Sequence, residues 1–408
     1  MPRWLRIERH ELAAVGWAFG YFFCLLCSYY ILRPVRDAAA VEIGTERLRW
    51  LFTVTFFAML ALVPVFGWLA ARLPRQRLLP ALYAFFVLNL AAFAVEFPPL
   101  VFFVWLSVFN LFAVSLFWSY MADVYDTAQA ARLYGVIAAG GSCGAIAGPL
   151  VASLSARLGH PALLLMAAAI LALTIPCILM LGRWSRRFPR DKSADVPLGG
   201  SVLAGARAAL SSPFLLAICG YLLCYTVLST ALYFEQVEIV GAAVPDPAQR
   251  TRLFANVDLA VNSLTLALQL AAFSRLTALL SPGWLLALMP LVSVAGFLWL
   301  GATPTLAALI AFGVTRRVGE LAISKPAREA LFTAVPREER YKAKNFIDTV
   351  VYRGGDALAG WVFAAASAFA AAAVAAAWAA IAFFLGARMK SWTRDDARSS
   401  PSLRPLRR

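Results

Sequence analysis

Charge is what this sequence has least of. Only 14% of its 408 residues are charged and 62% are hydrophobic, against about a quarter and a half in a soluble domain. With a mean hydropathy of +0.74, a water-soluble globular class is excluded. Histidine is scarcer still. The two present, His10 and His160, sit at expected boundaries of apolar runs on opposite sides, too far apart to share a catalytic or metal site. No Lys-Ser or Lys-Thr follows the glycine-rich stretch Gly140-Gly141-Ser142-Cys143-Gly144, so a phosphate loop, and ATP-driven pumping with it, is missing. The six cysteines fall inside apolar blocks, and Cys24-x-x-Cys27 has no His or second pair to complete a metal site. No enzyme, metal or cofactor is therefore expected. Basic stripes interleaved with readout aromatics are absent too, which turns the net charge of +15 away from nucleic acid and toward membrane topology.

What is there is a rhythm of long apolar runs. A spanning helix needs about 20 mostly apolar residues. The runs predict twelve: Leu12–Leu32, Leu48–Ala71, Leu78–Val95, Pro99–Met121, Leu133–Ala156 and Ala162–Leu181, then Phe214–Val237, Leu253–Leu276, Gly283–Leu300, Thr305–Ile323, Phe346–Ala368 and Ala370–Ala387. The segment before the first run is of mixed charge and that run is too long for a cleavable leader, so it is expected to remain as a helix. Basic residues gather in alternate connections: Arg3, Arg6 and Arg9; Arg72, Arg75 and Arg77; Arg183 to Lys192; Arg316 to Lys344; and the Arg-rich end. That places both termini in the cytoplasm. Arg33, Arg36, Arg47 and Arg49, and Arg157, Arg250 and Arg252, break the pattern.

Residues 183–212, polar and rich in Pro, Gly and Ser, read as a linker between bundles of residues 1–182 and 213–390, with 391–408 as a disordered basic tail. An internal repeat supports the division. Tyr21-x-x-Cys24 recurs as Tyr221-x-x-Cys224, Val41-Glu42-Ile43 as Val237-Glu238-Ile239, and Trp50-Leu51-Phe52 as Arg252-Leu253-Phe254, at an offset of roughly 200 residues and in the same order. An even number of spans per half makes the copies parallel, with substrate expected between them.

Ionisable residues inside spans point to partners or a wet cavity. If the first helix continues through Pro34, then Arg33, Arg36 and Asp37 share one face at i, i+3 and i+4. They form either an interfacial collar of snorkelling arginines or a cationic site at the mouth of a cavity. By the repeat, Arg36 corresponds to the Glu235-Gln236 neighbourhood, and opposite charges there could pair across the cavity. Asp258, Asn262, Thr265 and Gln269 make a helical stripe, as do Ser115, Ser119 and Asp123, lining a cavity or binding helices together. Lys344, Asp348 and Tyr352 share another face, with Arg353 and Asp356 as an i, i+3 pair beside it. Gly140, Gly144 and Gly148 recur every four residues ahead of Pro149, the spacing that lets helix backbones approach closely.

The segments Tyr29–Asp37, Phe117–Gly135, and Lys325–Glu329 with Lys344–Asp356 together resemble the ATP/ADP translocase family of nucleotide transporters, usually grouped with the major facilitators, and above all its shorter bacterial relatives. The stretch from Gly67 through Arg72 to Arg77 is similar to the loop between the second and third helices of major facilitators, with Ala71 where that pattern has Asp. Gly144-x-x-x-Gly148-Pro149 is similar to their antiporter motif. The resemblance implies an all-α membrane protein of two parallel six-helix bundles. It carries the family's first-helix basic position to Arg36 and its acidic seventh-helix position to Glu235. The eleventh-helix lysine position falls on Asp356, although Arg353 remains nearby. A secondary exchanger of an organic anion, nucleotide being the implied class, is thus expected as a monomer in a bacterial inner membrane. The alternatives are a proton-coupled facilitator of another solute, using Asp258, Glu235 or Asp348, and a non-transporting scaffold.

Overall fold

Long apolar runs leave the backbone one way to satisfy its polar groups in a bilayer, by hydrogen bonding to itself in helices. The computed structural model describes residues 7–72, 75–187, 210, 212–271, 279–332, 346–362 and 367–399. The side chains of 63, 66–72, 75–77, 348–349 and 390–399 lie outside that description. The first helices are α1 (Leu12–Ile43), α2 (Thr45–Arg72), α3 (Arg75–Val95), α4 (Pro99–Val124), α5 (Thr127–Ser155), α6 (Gly159–Ala172) and α7 (Thr174–Arg187). Then come α8 (Pro213–Ala243), α9 (Pro247–Ala271), α10 (Pro282–Ala302), α11 (Leu306–Gly319), α12 (Lys325–Leu331), α13 (Tyr352–Val362) and α14 (Ala368–Ser399). Eight helical stretches among the described residues are long and apolar enough to cross a membrane.

Several boundaries differ from the predicted ones. The first helix does not stop at Leu32; it runs through Pro34 to Ile43 and ends where Gly44 takes φ 78°, a conformation that glycine adopts at little cost. The sixth predicted span is two helices, α6 and α7, joined at Leu173. The tenth continues past Ile323, through a π-turn at Glu320–Ser324 into α12. A second π-turn, Ile347–Val351, precedes α13. The last helix extends to Ser399, so residues 391–399 are helical where a disordered tail was expected. Residues 183–187 belong to α7 and not to the linker.

The chain divides into two units, Met1–Val196 with Val240–Ser263, and Pro197–Ile239 with Leu264–Arg408. One dividing line, between Val196 and Pro197, falls in the expected linker; the other two fall inside α8 and α9. In the first unit α1 is the central helix, packed on α4, α5, α6 and α7. A side chain at Gly140, Gly144 or Gly148 would strike the carbonyl oxygens of Phe19, Phe23 or Cys27 in turn. The four-residue glycine spacing therefore serves close approach of α5 to α1, step for step. Aromatic packing completes this core: Phe22 stacks on Phe117 at 4.1 Å and Trp105 on Phe109 at 5.3 Å.

In the second unit α10 packs on α14, with Gly283 facing Gly386. Trp378 of α14 is buried against Tyr221 of α8, ring centroids 5.2 Å apart. The repeat seen in sequence has a structural counterpart. Tyr21 donates to the Tyr83 hydroxyl on α3, 62 residues on, at 2.8 Å. Tyr221 donates to the Leu286 carbonyl on α10, 65 residues on, at 3.0 Å. Equivalent tyrosines thus fasten the first pass of each half to its third.

Candidate functional site

Several places in the described structure hold ionisable side chains inside helices. In the first unit, the unbroken course of α1 puts Arg33, Arg36 and Asp37 on one face. Arg36 grips Oδ1 of Asp37 with Nη2 at 2.7 Å and Nε at 3.0 Å. Arg33 lies 3.9 Å from the other oxygen of Asp37, and its Nη1 is 3.2 Å from Oδ1 of Asp258 on α9. Each guanidinium also covers an aromatic ring, Arg33 that of Tyr30 at 5.9 Å and Arg36 that of Phe103 at 5.4 Å, a favourable contact in partly dry surroundings. The arginine side chains keep 21% and 15% of their surface accessible, whereas Asp37 and Asp258 keep 7% and 2%. Two cations thus face two buried carboxylates, with the cationic side the more accessible.

The stripe on α9 reads downward from that cluster. Asn262 donates to the Ala145 carbonyl on α5 at 2.7 Å, Thr265 is buried, and Gln269 reaches the Leu321 carbonyl at 3.3 Å. Asn262 and Gln269 bind helices together, while Asp258 belongs to the charged cluster. Asp123 is exposed near the end of α4 and Glu235 is half-buried on α8. The arginines that break the loop-charge pattern have local roles: Arg250 Nε donates to the Val244 carbonyl at 2.6 Å, and Arg157 and Arg252 line a cleft of about 480 Å³ with Gln249 and Asn256.

In the second unit Arg353 and Asp356 pair at 3.5 Å, as their i, i+3 spacing predicts. Asp356 also accepts from Thr230 of α8 at 3.3 Å, and Gly355 sits against Thr226. A π-turn spans Ile347–Val351, directly ahead of Tyr352. Lys344 and the side chain of Asp348 lie outside the described residues. So do the surroundings of Gly67 and Arg72 on α2.

Sequence reasoning missed three charged residues. Arg316, assigned to a basic cytoplasmic connection, is 4% exposed in the last turn of α11; Glu320 is 6% and Arg328 7% exposed. Arg316 Nη2 donates to the Ser229 hydroxyl at 2.9 Å and the Tyr225 carbonyl at 3.2 Å, and Arg328 Nη1 donates to Glu320 Oε1 at 3.4 Å. The signal lay in the i, i+4 spacing of Arg316 and Glu320 inside the predicted span Thr305–Ile323, although Arg316 was counted with the basic residues of the connection that follows.

A further cluster ties helix starts together in the first unit. Glu11, just ahead of α1, is 1% exposed and accepts from Arg132 at 2.9 Å, Gln129 at 3.0 Å and the Glu8 amide at 3.0 Å. Burial by itself pushes the Glu11 carboxyl up, but the bonds from Glu8, Arg132 and Gln129 outweigh it and hold the group below its usual value. Gln129 in turn closes a capping box with Asp126 at the start of α5.

Apolar helices in a two-fold repeat, with charges gathered on a few inward positions, define a membrane transport fold of repeated bundles. Residues 18–315 match the family model described as Major Facilitator Superfamily, and the chain belongs to that family. No curated protein matches it by sequence. Among solved structures it is similar to a bacterial homologue of the iron transporter ferroportin, inward-facing, at 11% identity over 94% of this chain and 99% of that one, with a TM-score of 0.64. It is similar also to a bacterial homologue of the human lysosomal transporter Spinster, at 14% identity over 96% of each chain, TM-score 0.61. The nucleoside transporter NupG matches at 15% identity over 94% of this chain and all of that one, TM-score 0.61. At such identities the likeness concerns the fold.

Proposed function

We propose that this major facilitator is a secondary exchanger of an organic anion, with nucleotide the class implied by its resemblance to the ATP/ADP translocases. Arg33 and Arg36 bind the anion, and Asp37 and Asp258 hold their guanidiniums while it is absent. The observation that carries the reading is the cluster itself: two partly accessible arginine forks inside a membrane helix, satisfied by carboxylates. A guanidinium fork fits carboxylate and phosphate alike, so Asp37 and Asp258 present the chemistry of the solute they would yield to. Transport would proceed by alternating access of the two halves, by a monomer in a bacterial inner membrane with both termini cytoplasmic. Asp123 in the first unit, and Glu235, Lys344, Asp348, Arg353 and Asp356 in the second, remain candidate binding or coupling residues.

The test is a thermal-shift screen of purified protein against ADP, inorganic phosphate, a sugar phosphate and succinate. A ligand at a hundredfold excess over its Kd adds about 2.7 kcal/mol to stability. One of these anions is expected to stabilise the wild type, and to do so less in Arg36→Ala. A panel that leaves the wild type unmoved would argue against the reading. One observation favours a second reading: Asp258 is almost fully buried yet ionisable, as a proton-carrying carboxylate would be. Uptake that ignores an imposed pH gradient would dismiss proton coupling there.

A further inference from the structure

Among the described residues, one buried cluster of the second unit holds more cations than carboxylates. Among the described residues the α1 cluster sets two arginines against two aspartates, and Arg353 has Asp356. Where α11 meets α12, Glu320 pairs with Arg328, Arg316 lies one helical turn before Glu320 with no ion pair of its own among the described residues, and all three are at least nine-tenths buried. Arg316 spends Nη2 on Tyr225 and Ser229; among the described residues its Nε has no hydrogen-bond partner, and neither has Oε2 of Glu320. A buried cation without a matching anion, and a guanidinium edge left unsatisfied, are costly in a membrane protein and mark function more often than stability.

The surroundings suit an anion. The guanidinium lies 5.2 Å from the Tyr225 ring centroid, and that ring neighbours Tyr352 at 6.1 Å. Tyr225 and Ser229, one helical turn apart on α8, are half-buried, whereas the arginine they bond is buried. Thr226 and Thr230 continue that polar face of α8 to Gly355 and Asp356. The π-turn that carries Glu320 is a helical irregularity of the kind retained at functional sites.

We propose that Arg316 is a further anion-binding residue, taking a carboxylate or phosphate oxygen on its Nε edge beside Tyr225 and Ser229. Glu320 opposes the incoming charge and sets its affinity. This rests on the solute being an organic anion and assigns it a contact in the second unit. The two glutamate oxygens differ in role: Oε1 holds Arg328, and the carboxylate as a whole repels the ligand.

The two charges make opposite predictions. Binding of ADP, inorganic phosphate and succinate would be titrated in wild type, Arg316→Gln, Glu320→Gln and Arg36→Ala. Arg316→Gln is expected to weaken binding about tenfold or more, from loss of a charged contact at low dielectric. Glu320→Gln is expected to tighten it, about threefold or more, because a like charge is removed from beside the ligand. A purely structural ion-pair cluster would give no gain in Glu320→Gln, and that result would overturn the proposal. Should Arg316→Gln fail to fold, the Glu320→Gln arm decides alone, since misfolding cannot tighten binding. Wild-type affinity in Arg316→Gln with loss in Arg36→Ala would sink this inference and leave the exchanger reading standing. No binding to the wild type by any of the three would sink both.

Discussion

Arg33 reaches across two helices to Asp258, and that contact sets what each member of the cluster is worth. Asp258→Ala would leave Arg33 with its carboxylate 3.9 Å away on Asp37 alone. Breaking a buried pair from one side costs about 3–5 kcal/mol, which thermal unfolding in detergent should register; Asp258→Asn, which keeps a hydrogen-bond acceptor, should lose less. Glu11 gives a prediction in pH. Its carboxyl is held below the usual value when folded, so the stability it adds is present in full above its unfolded pKa, about 4.3. It disappears as pH falls through the lower folded value. Wild type should therefore exceed Glu11→Gln in melting temperature at pH 7, with the gap closing only below about pH 4. A gap independent of pH would show that Glu11 acts by shape alone. At this scale the sequence made Arg33, Arg36, Asp37, Arg353 and Asp356 legible, because helical spacing settles which neighbours share a face. It hid Arg316, Glu320 and Arg328, because basic residues at the end of a span count as topology signals until Tyr225 and Ser229 are seen to bond Arg316.

Helix packing turns on the glycines of α5. Gly144 faces the backbone of Phe23 and Cys27, so Gly144→Leu must push α5 from α1 and should cost about 1–3 kcal/mol or more by overpacking. Gly135, on the same helix, has open space where a side chain would go. Gly135→Ala should stabilise by roughly 0.5–1 kcal/mol, the helix-propensity gain. Comparable losses at both positions, by denaturation in detergent, would contradict the packing of α1 on α5. The four-residue glycine step was legible as a close-approach face; that its partner is α1, matched to Phe19, Phe23 and Cys27, was not, because spacing names a face and not what meets it. The π-turns at Glu320 and Ile347 were illegible for a similar reason. Apolar periodicity is read on a 3.6-residue count, and one inserted residue shifts the register without changing composition.

At the scale of the molecule, the repeat was legible in the sequence, and the paired tyrosine contacts, Tyr21 to α3 and Tyr221 to α10, are a structural counterpart to it. The substrate is the least legible, since a fold shared at 11–15% identity with transporters of different solutes leaves recognition to a few side chains. Anion exchange dependent on Arg36 is therefore the claim to test first. Proteoliposomes would be loaded with unlabelled ADP, inorganic phosphate or succinate and given the same anion labelled outside. For at least one anion, uptake into loaded vesicles should exceed that into empty ones, and Arg36→Ala should bring it down to the empty-vesicle level. Exchange at the wild-type rate in Arg36→Ala would contradict the proposed site.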